Sequence, residues 1–315
     1  MEANYEGIIF HLHDSKLLIL EREQGDCMEK VLITGATGLI GNGLLSLLTN
    51  EYECWVVGRH APLMKKIHFI EQDLGRPLEL SNFPKKIDYI IHLAQSDAHN
   101  DWENNREKIF NVNVYGMLQL LEYGVKAKIK KFLFASSGGV YGQLNKMLSE
   151  DEMLMVNGTL NFYQNTKLSM EILAGNYQKY YDIVTFRFFF VYGTGQKANM
   201  LFPRLIANIK EKNPVCIGAL NDIKMTPIYK TDAAQCVYKA LRDIQGTHIF
   251  NIAGNEVVAL GDIVRKIAQK MGTDVEVQYE DKGQQGMIAD TRKMQRLLWV
   301  PQVTLDEGIE KLLLG

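Results

Sequence analysis

An apolar run, Val31-Leu32-Ile33, leads through Thr34-Gly35-Ala36-Thr37-Gly38-Leu39-Ile40-Gly41 into a second apolar segment that ends at Leu48. Gly35, Gly38 and Gly41 stand at G-x-x-G-x-x-G spacing between a strand pattern and a helix pattern, and few folds need that arrangement. Gly35 permits a tight turn, Gly38 lets backbone N–H groups approach a pyrophosphate, and Gly41 lets the helix lie close on the strand. The helix then turns its unpaired N–H groups and positive dipole end toward the anion. A glycine triplet without these flanks is more often plain turn chemistry. Here the flanks predict a dinucleotide phosphate loop, with Gly35, Thr37, Gly38, Leu39, Ile40 and Gly41 at the cofactor.

Further apolar runs follow at Cys54 to Val57, Ile67 to Ile70, Tyr89 to Leu93, Phe132 to Ala135 and Ile183 to Phe188, separated by longer helical stretches. Strands alternating with helices predict a parallel sheet. Runs without polar interruption mean that helices cover both faces. The expected fold is therefore α/β, a Rossmann-type doubly wound parallel sheet. Beyond Phe190 the spacing changes, with Pro203, Pro214, Pro227 and Pro301 among shorter segments, which predicts a smaller, irregular C-terminal substrate lobe. We divide the chain into residues 1–27, an N-terminal extension; 28–190, the dinucleotide-binding domain; and 191–315, mainly the substrate lobe with some segments returning to the first domain. Within the extension, Ile8 to Leu12 and Leu17 to Leu20 flank His13-Asp14-Ser15-Lys16 as hairpin arms would, or the segment is simply appended before Met28.

The 35 basic side chains nearly balance 37 acidic ones, for a net charge of -2, so no chain-wide field attracts nucleic acid or an anionic membrane. Cys27, Cys54, Cys216 and Cys236 are scattered and form no C-x-x-C pair. No apolar run reaches the roughly 20 residues that span a bilayer. The acidic start does not suit a secretory leader, so a reducing cytoplasmic location is expected. His11 and His13 lack a nearby third ligand, and no metal is expected. His92 reads as a packed, hydrogen-bonded imidazole rather than a base.

Tyr163 and Lys167 are four residues apart, on one face of a helix predicted to run through Tyr177. A free phenol titrates near pH 10, and a neighbouring ammonium favours the phenolate, so this pair suits proton transfer near neutral pH. After the second strand comes Gly58-Arg59, where a binder of the unphosphorylated cofactor would usually present a carboxylate. A guanidinium there suits a 2'-phosphate, so the reading for NAD(P) favours NADP, the alternative being an arginine that only solvates its loop.

Together these motifs resemble the extended short-chain dehydrogenase/reductase superfamily, in its NAD-dependent epimerase/dehydratase branch. The resemblance runs from about Lys30 to the C-terminus. It rests on the glycine loop, Asp73-Leu74, His92-Leu93-Ala94, Asn113-Val114-Tyr115-Gly116, Ser136-Ser137-Gly138-Gly139-Val140-Tyr141-Gly142, Tyr163 to Lys167, Arg187 through Val191-Tyr192-Gly193, and the closing segment Asp290-Thr291-Arg292-Lys293. It implies that Asp73 and Leu74 contact the adenine, Ala94 lines the cofactor groove, Asn113 holds the active-site helix, Ser137 hydrogen-bonds the reacting oxygen, and Lys167 also holds the nicotinamide ribose. The implied chemistry is hydride transfer at a sugar carbinol or ketone carbon, with Ser137, Tyr163 and Lys167 as the catalytic set.

Departures from the branch narrow this. Its 4,6-dehydratases carry an acid pair after the catalytic hydroxyl residue, where this chain has Gly138 and Gly139, so 4-epimerisation or 4-keto reduction is expected. Its nucleotide-sugar members carry Asn where Phe190 stands and arginines where Met225 and a residue near Glu280 fall. Phe190, Asn199 and Arg204 are the substrate candidates beside Ser137, with Lys224 or Lys282 as further charge. The thinned anion clamp keeps open a reductase of a small non-nucleotide ketone, and a catalytically silent NADP-binding regulator is the third reading. The expected partners are a small molecule, a nucleotide-linked sugar, and a second copy in a homodimer packed through Glu103 to Tyr123 and Tyr163 to Tyr177.

Overall fold

The computed structural model describes residues 28–98, 101–142, 144–154, 160–218, 223–280 and 286–315. The expectations for a hairpin before residue 28, for His11 and His13, and for Lys282 lie outside these residues. Among the described residues, the central sheet has seven parallel strands: β1 (Lys30–Thr34), β2 (Glu53–Gly58), β3 (Ile67–Glu71), β4 (Tyr89–His92), β5 (Lys131–Ser137), β6 (Asp182–Phe188) and β7 (His248–Ile252). Their spatial order is β7-β6-β5-β4-β1-β2-β3. The order reverses between β1 and β4, which opens a crevice at the carboxyl ends of those strands.

The helices are α1 (Leu39–Leu48), α2 (Trp102–Phe110), α3 (Gly116–Ala127), α4 (Phe162–Gly175), α5 (Leu201–Lys210), α6 (Lys230–Asp243), α7 (Leu260–Met271), α8 (Arg292–Leu297) and α9 (Leu305–Leu314). A π-helical turn, Asn111–Tyr115, joins α2 to α3. Successive β1 side chains point to opposite faces of the sheet, as strand geometry requires. Val31 and Ile33 are buried in one cluster with Leu44, Leu45 and Leu48 of α1 and Val237 and Leu241 of α6. Leu32 belongs to the opposite cluster, with Leu120 and Leu121 of α3 and Met170 and Ala174 of α4. Both faces are thus dry, which is why these strands carry unbroken apolar runs. A third cluster, with Phe202, Leu205 and Ile209 of α5, Ile263 and Ile267 of α7, and Ile309 of α9, forms a smaller body after β6.

Two elements differ from the sequence reading. Helix α4 stops at Gly175, two residues before Tyr177. Tyr177 keeps the apolar spacing because its ring stacks with Tyr181 at 6.3 Å after the helix has ended. Strand β7 was absent from the predicted set. It adds to the sheet edge by pairing in parallel with β6.

One buried cation ties β5 to α6. Lys131 opens β5 and is 6% exposed. Its ammonium donates to the carbonyl oxygens of Ala240 at 3.1 Å and Leu241 at 2.8 Å, and to that of Ile244. These are carbonyls from the end of α6, where a cation meets both unpaired acceptors and the negative end of the helix dipole. Burial still holds the Lys131 ammonium below its ordinary range.

Candidate active site

The crevice between β1 and β4 is a cavity of about 890 Å³. Gly35, Thr37, Gly38, Leu39, Ile40, Gly41, Arg59, Asp73, Leu74 and Ala94 line it, as do Ser137, Tyr163 and Phe190. Gly35 has φ +74, the left-handed region open to glycine, and a Cβ there would lie 2.6 Å from the Ala94 nitrogen. At Gly41 a Cβ would come within 2.1 Å of the Gly35 carbonyl oxygen. The turn therefore exists in this shape only with hydrogens at both positions. No side chain caps the start of α1, and its first turn carries no acidic residue. Uncapped amides, an open cradle and a dipole end facing one groove fit the pyrophosphate of a dinucleotide.

The carboxyl end of β5 and the first turn of α4 meet at this crevice. Helix α4 starts in a capping box: Asn161 Oδ1 accepts from Gln164 N at 2.9 Å, and Gln164 Oε1 accepts from Asn161 N at 2.8 Å. That fixes Tyr163 in the first helical turn. Asn113, fully buried in the π-turn, braces the same helix, donating to Thr166 Oγ1 at 3.0 Å while accepting from Ser96 N at 2.8 Å. Thr166 donates in turn to the Tyr163 carbonyl at 2.7 Å.

The Ser137 hydroxyl hydrogen-bonds the Tyr163 phenol. Ser137 Oγ itself accepts from Gly139 N at 3.0 Å. Tyr163 Oη donates to Gln95 Oε1 at 2.9 Å. Lys167 is fully buried behind the phenol, with its ammonium 5.8 Å from the Tyr163 ring centroid and donating to the Ala135 carbonyl at 2.8 Å. Burial pushes the Tyr163 phenol up to about 12, against the Ser137 hydrogen bond. Burial also pushes Lys167 down to about 7, with the Glu171 carboxylate opposing.

The profile of the NAD dependent epimerase/dehydratase family matches residues 31–253. The chain belongs to that family. A solved UDP-glucuronic acid 4-epimerase from Bacillus cereus, in complex with UDP-glucuronic acid and NAD, is 28% identical with a TM-score of 0.80, covering 90% of this chain and 97% of its own. An uncharacterized UDP-glucose epimerase of Bacillus subtilis, YtcB, is 28% identical over 308 residues, 89% of this chain and 95% of the relative. A GDP-6-deoxy-D-talose 4-dehydrogenase of Aggregatibacter actinomycetemcomitans is 28% identical over 282 residues, covering 85% and 91%.

Against this family background the remaining predicted positions divide. Phe190 has φ +45, a left-handed backbone that asparagine tolerates and a bulky aromatic does not readily adopt. Asn199 and Arg204 are exposed and stand outside the cavity lining. Met225 is 2% exposed and packs into the C-terminal core. Arg59 is an ion-pair partner of Asp97 at 3.6 Å, and Asp97 is held more closely by Lys108 at 2.9 Å. The Lys108 hydrogen bond, with Arg59 and Lys197 farther off, keeps the Asp97 carboxyl below the usual carboxylate range. His92 Nδ1 pairs with Thr34 Oγ1 at 2.7 Å, and burial pushes the imidazole down to about 3, so it stays neutral.

The sequence reading missed several groups. Gln95, Asp97 and Lys108 line the cavity but follow no motif spacing. Glu171 stands one turn beyond Lys167, a spacing visible in the sequence. Its carboxylate receives Arg187 Nε at 3.1 Å and Nη2 at 2.7 Å, and the hydroxyl of Ser136. Arg187 also donates to Tyr141 Oη at 2.7 Å. A buried bidentate ion pair thus underlies the Tyr163-Lys167 face. Among the described residues, no group of three or more His, Cys, Asp and Glu side chains could hold a metal, and no helix is long and apolar enough to cross a membrane.

Proposed function

We propose that the protein is an NAD(P)-dependent oxidoreductase or epimerase of the extended short-chain type, acting on a carbinol or ketone carbon of a nucleotide-linked sugar as a 4-epimerase or 4-ketoreductase. The observation that carries this reading is the convergence of Ser137 and Tyr163, backed by Lys167, on the groove that begins at the glycine turn. Bound there, the dinucleotide supplies or takes up a hydride. Tyr163 exchanges the proton of the substrate hydroxyl at its phenolic oxygen, and Ser137 donates to the same substrate oxygen. Lys167 supplies positive charge behind the phenol, and Asn113 fixes the helix that carries both. The glycine turn and the first-turn amides of α1 hold the pyrophosphate.

Elimination of water needs an acid beside the hydroxyl residue, and the local packing disfavours one. A Cβ at Gly138 would lie 2.6 Å from the Phe189 ring, and one at Gly139 would lie 3.0 Å from the Gln164 side chain. Dehydration is therefore outside the proposal. Arg59 favours NADP, since its guanidinium is solvent-accessible at the groove and, among the described residues, is held by a 3.6 Å ion pair with Asp97. The second reading, reduction of a small non-nucleotide ketone, is favoured by the buried Met225 and by Arg204 lying outside the cavity lining. A homodimer is proposed through α2, α3 and α4, whose surfaces expose Phe110 and Ile172.

The test is a screen of UDP-, dTDP-, GDP- and CDP-sugars and their 4-keto forms, with NAD and NADP, following nicotinamide absorbance and epimer composition. Tyr163→Phe should lower turnover about 100-fold or more while leaving cofactor affinity within about two-fold. Unchanged turnover in that variant refutes the reading. Turnover of small ketones alone would favour the second one.

A further inference from the structure

The Tyr163 hydroxyl is engaged on both sides in this structure. The hydrogen-bond chain runs from Gly139 N–H to Ser137 Oγ, from Ser137 to Tyr163 Oη, and from Tyr163 to Gln95 Oε1 at 2.9 Å. Each donor points onward, so the phenolic proton is committed to the Gln95 carbonyl. A carbonyl oxygen accepts from a phenol but cannot donate to a phenolate, so this contact favours the protonated ring. Gln95 follows Ala94 directly, is exposed, and lines the same cavity as the glycine turn. An occupant of that cavity and Tyr163 therefore compete for one amide.

We propose that Gln95 is a positioning residue that acts through Tyr163: its amide oxygen accepts the phenolic hydrogen bond, and its turning away frees the hydroxyl for a substrate oxygen. The inference rests on Tyr163 as the proton-carrying group. Behind the phenol stand Lys167 on the same helix and Glu171 one turn farther, while Asp97, Glu107 and Lys108 line the wider cavity together with Arg59 and Lys197.

Two variants of matched length separate the effects. Gln95→Met removes the acceptor, and Gln95→Glu replaces it with an ionised one. The Tyr163 titration is followed in the intact protein by NMR of ζ-¹³C-tyrosine, with the signal assigned by its loss in Tyr163→Phe. Gln95→Met should lower the midpoint by about half to one unit, and Gln95→Glu should raise it by at least about one unit. Starting from about 12, a one-unit fall raises the ionised fraction at about pH 10.5 by roughly eight-fold. An unchanged midpoint in Gln95→Met overturns the proposal, and so does a rise, which would place the amide nitrogen against the phenol. Movement of both variants in the same direction would indicate a general structural role and also overturns it. Turnover retained in Tyr163→Phe sinks the proposed function itself, whereas a dead Tyr163→Phe with an unmoved Gln95→Met sinks only the role of Gln95.

Discussion

Two glycines of α1 should respond to alanine with opposite signs. At Gly41 the new methyl would stand 2.1 Å from the Gly35 carbonyl oxygen and 2.8 Å from the Ala36 Cα. Both atoms belong to the phosphate turn, and that turn cannot retreat, because Gly35 already sits where a Cβ would be 2.6 Å from Ala94 N. The helix must lift instead. Replacing a helical glycine by alanine gains about 1 kcal/mol of propensity, but overpacking against fixed backbone costs about 1–3 kcal/mol, so the clash wins. At Gly43, two residues on and exposed, the added methyl meets only the Ala234 Cβ, at 3.7 Å, an ordinary contact. There the propensity gain stands alone. Thermal unfolding of Gly41→Ala should therefore fall by a few degrees and that of Gly43→Ala should rise by one or two. Titration with NADP should show weaker binding for Gly41→Ala and no change for Gly43→Ala. Equal behaviour of the two variants, or a Gly41→Ala that keeps both stability and affinity, would refute the argument that the helix is seated by the missing side chain.

Other outcomes follow from the charges. Arg59→Ala should weaken NADP by about 10- to 100-fold with NAD nearly unchanged, measured by paired isothermal titrations; equal losses would remove the 2'-phosphate reading. Glu171→Gln leaves the Arg187 guanidinium buried without a counter-charge and should cost about 3–5 kcal/mol in denaturant unfolding. For Lys167, burial sets the native value at about 7, below the ordinary 10.5 of the unfolded chain. The unfolded state then binds the extra proton between those limits, so wild-type stability relative to Lys167→Met should increase as the pH rises from 7 toward 10. A flat difference in melting temperature across that range would contradict the assignment.

The central strands were legible because a sheet covered on both faces writes itself as continuous apolar sequence, as in Val31 to Ile33 and Phe132 to Ala135. Strand β7 was not, because it begins with His248 and contains Asn251. Asn251 is fully buried, yet its amide is satisfied by the Leu148 carbonyl at 2.9 Å and by Tyr141 Oη at 2.8 Å, partners distant in sequence. A polar residue whose partners lie more than 100 positions away carries no local signature. The same holds at the site. Ser137, Tyr163 and Lys167 are marked by spacing along one strand end and one helix face. Gln95 meets Tyr163 across 68 positions, and Lys108 reaches Asp97 from α2, at a spacing that marks no motif. Glu171 could have been found from its place four residues after Lys167, since a buried ammonium on a helix face calls for an acid one turn away.

Lys131 joins parts of the chain made at very different times. Its ammonium is satisfied by carbonyls contributed 109 to 113 positions later. Until that later segment has been synthesised and has docked, Lys131 stands on a sheet face that α6 has yet to cover, and β6 shows an open edge where β7 will pair. An exposed strand edge invites pairing with other chains. The nascent protein therefore cannot complete its nucleotide-binding half first and append the rest afterwards, and ribosome-bound intermediates would depend on shielding until residues 240–252 emerge.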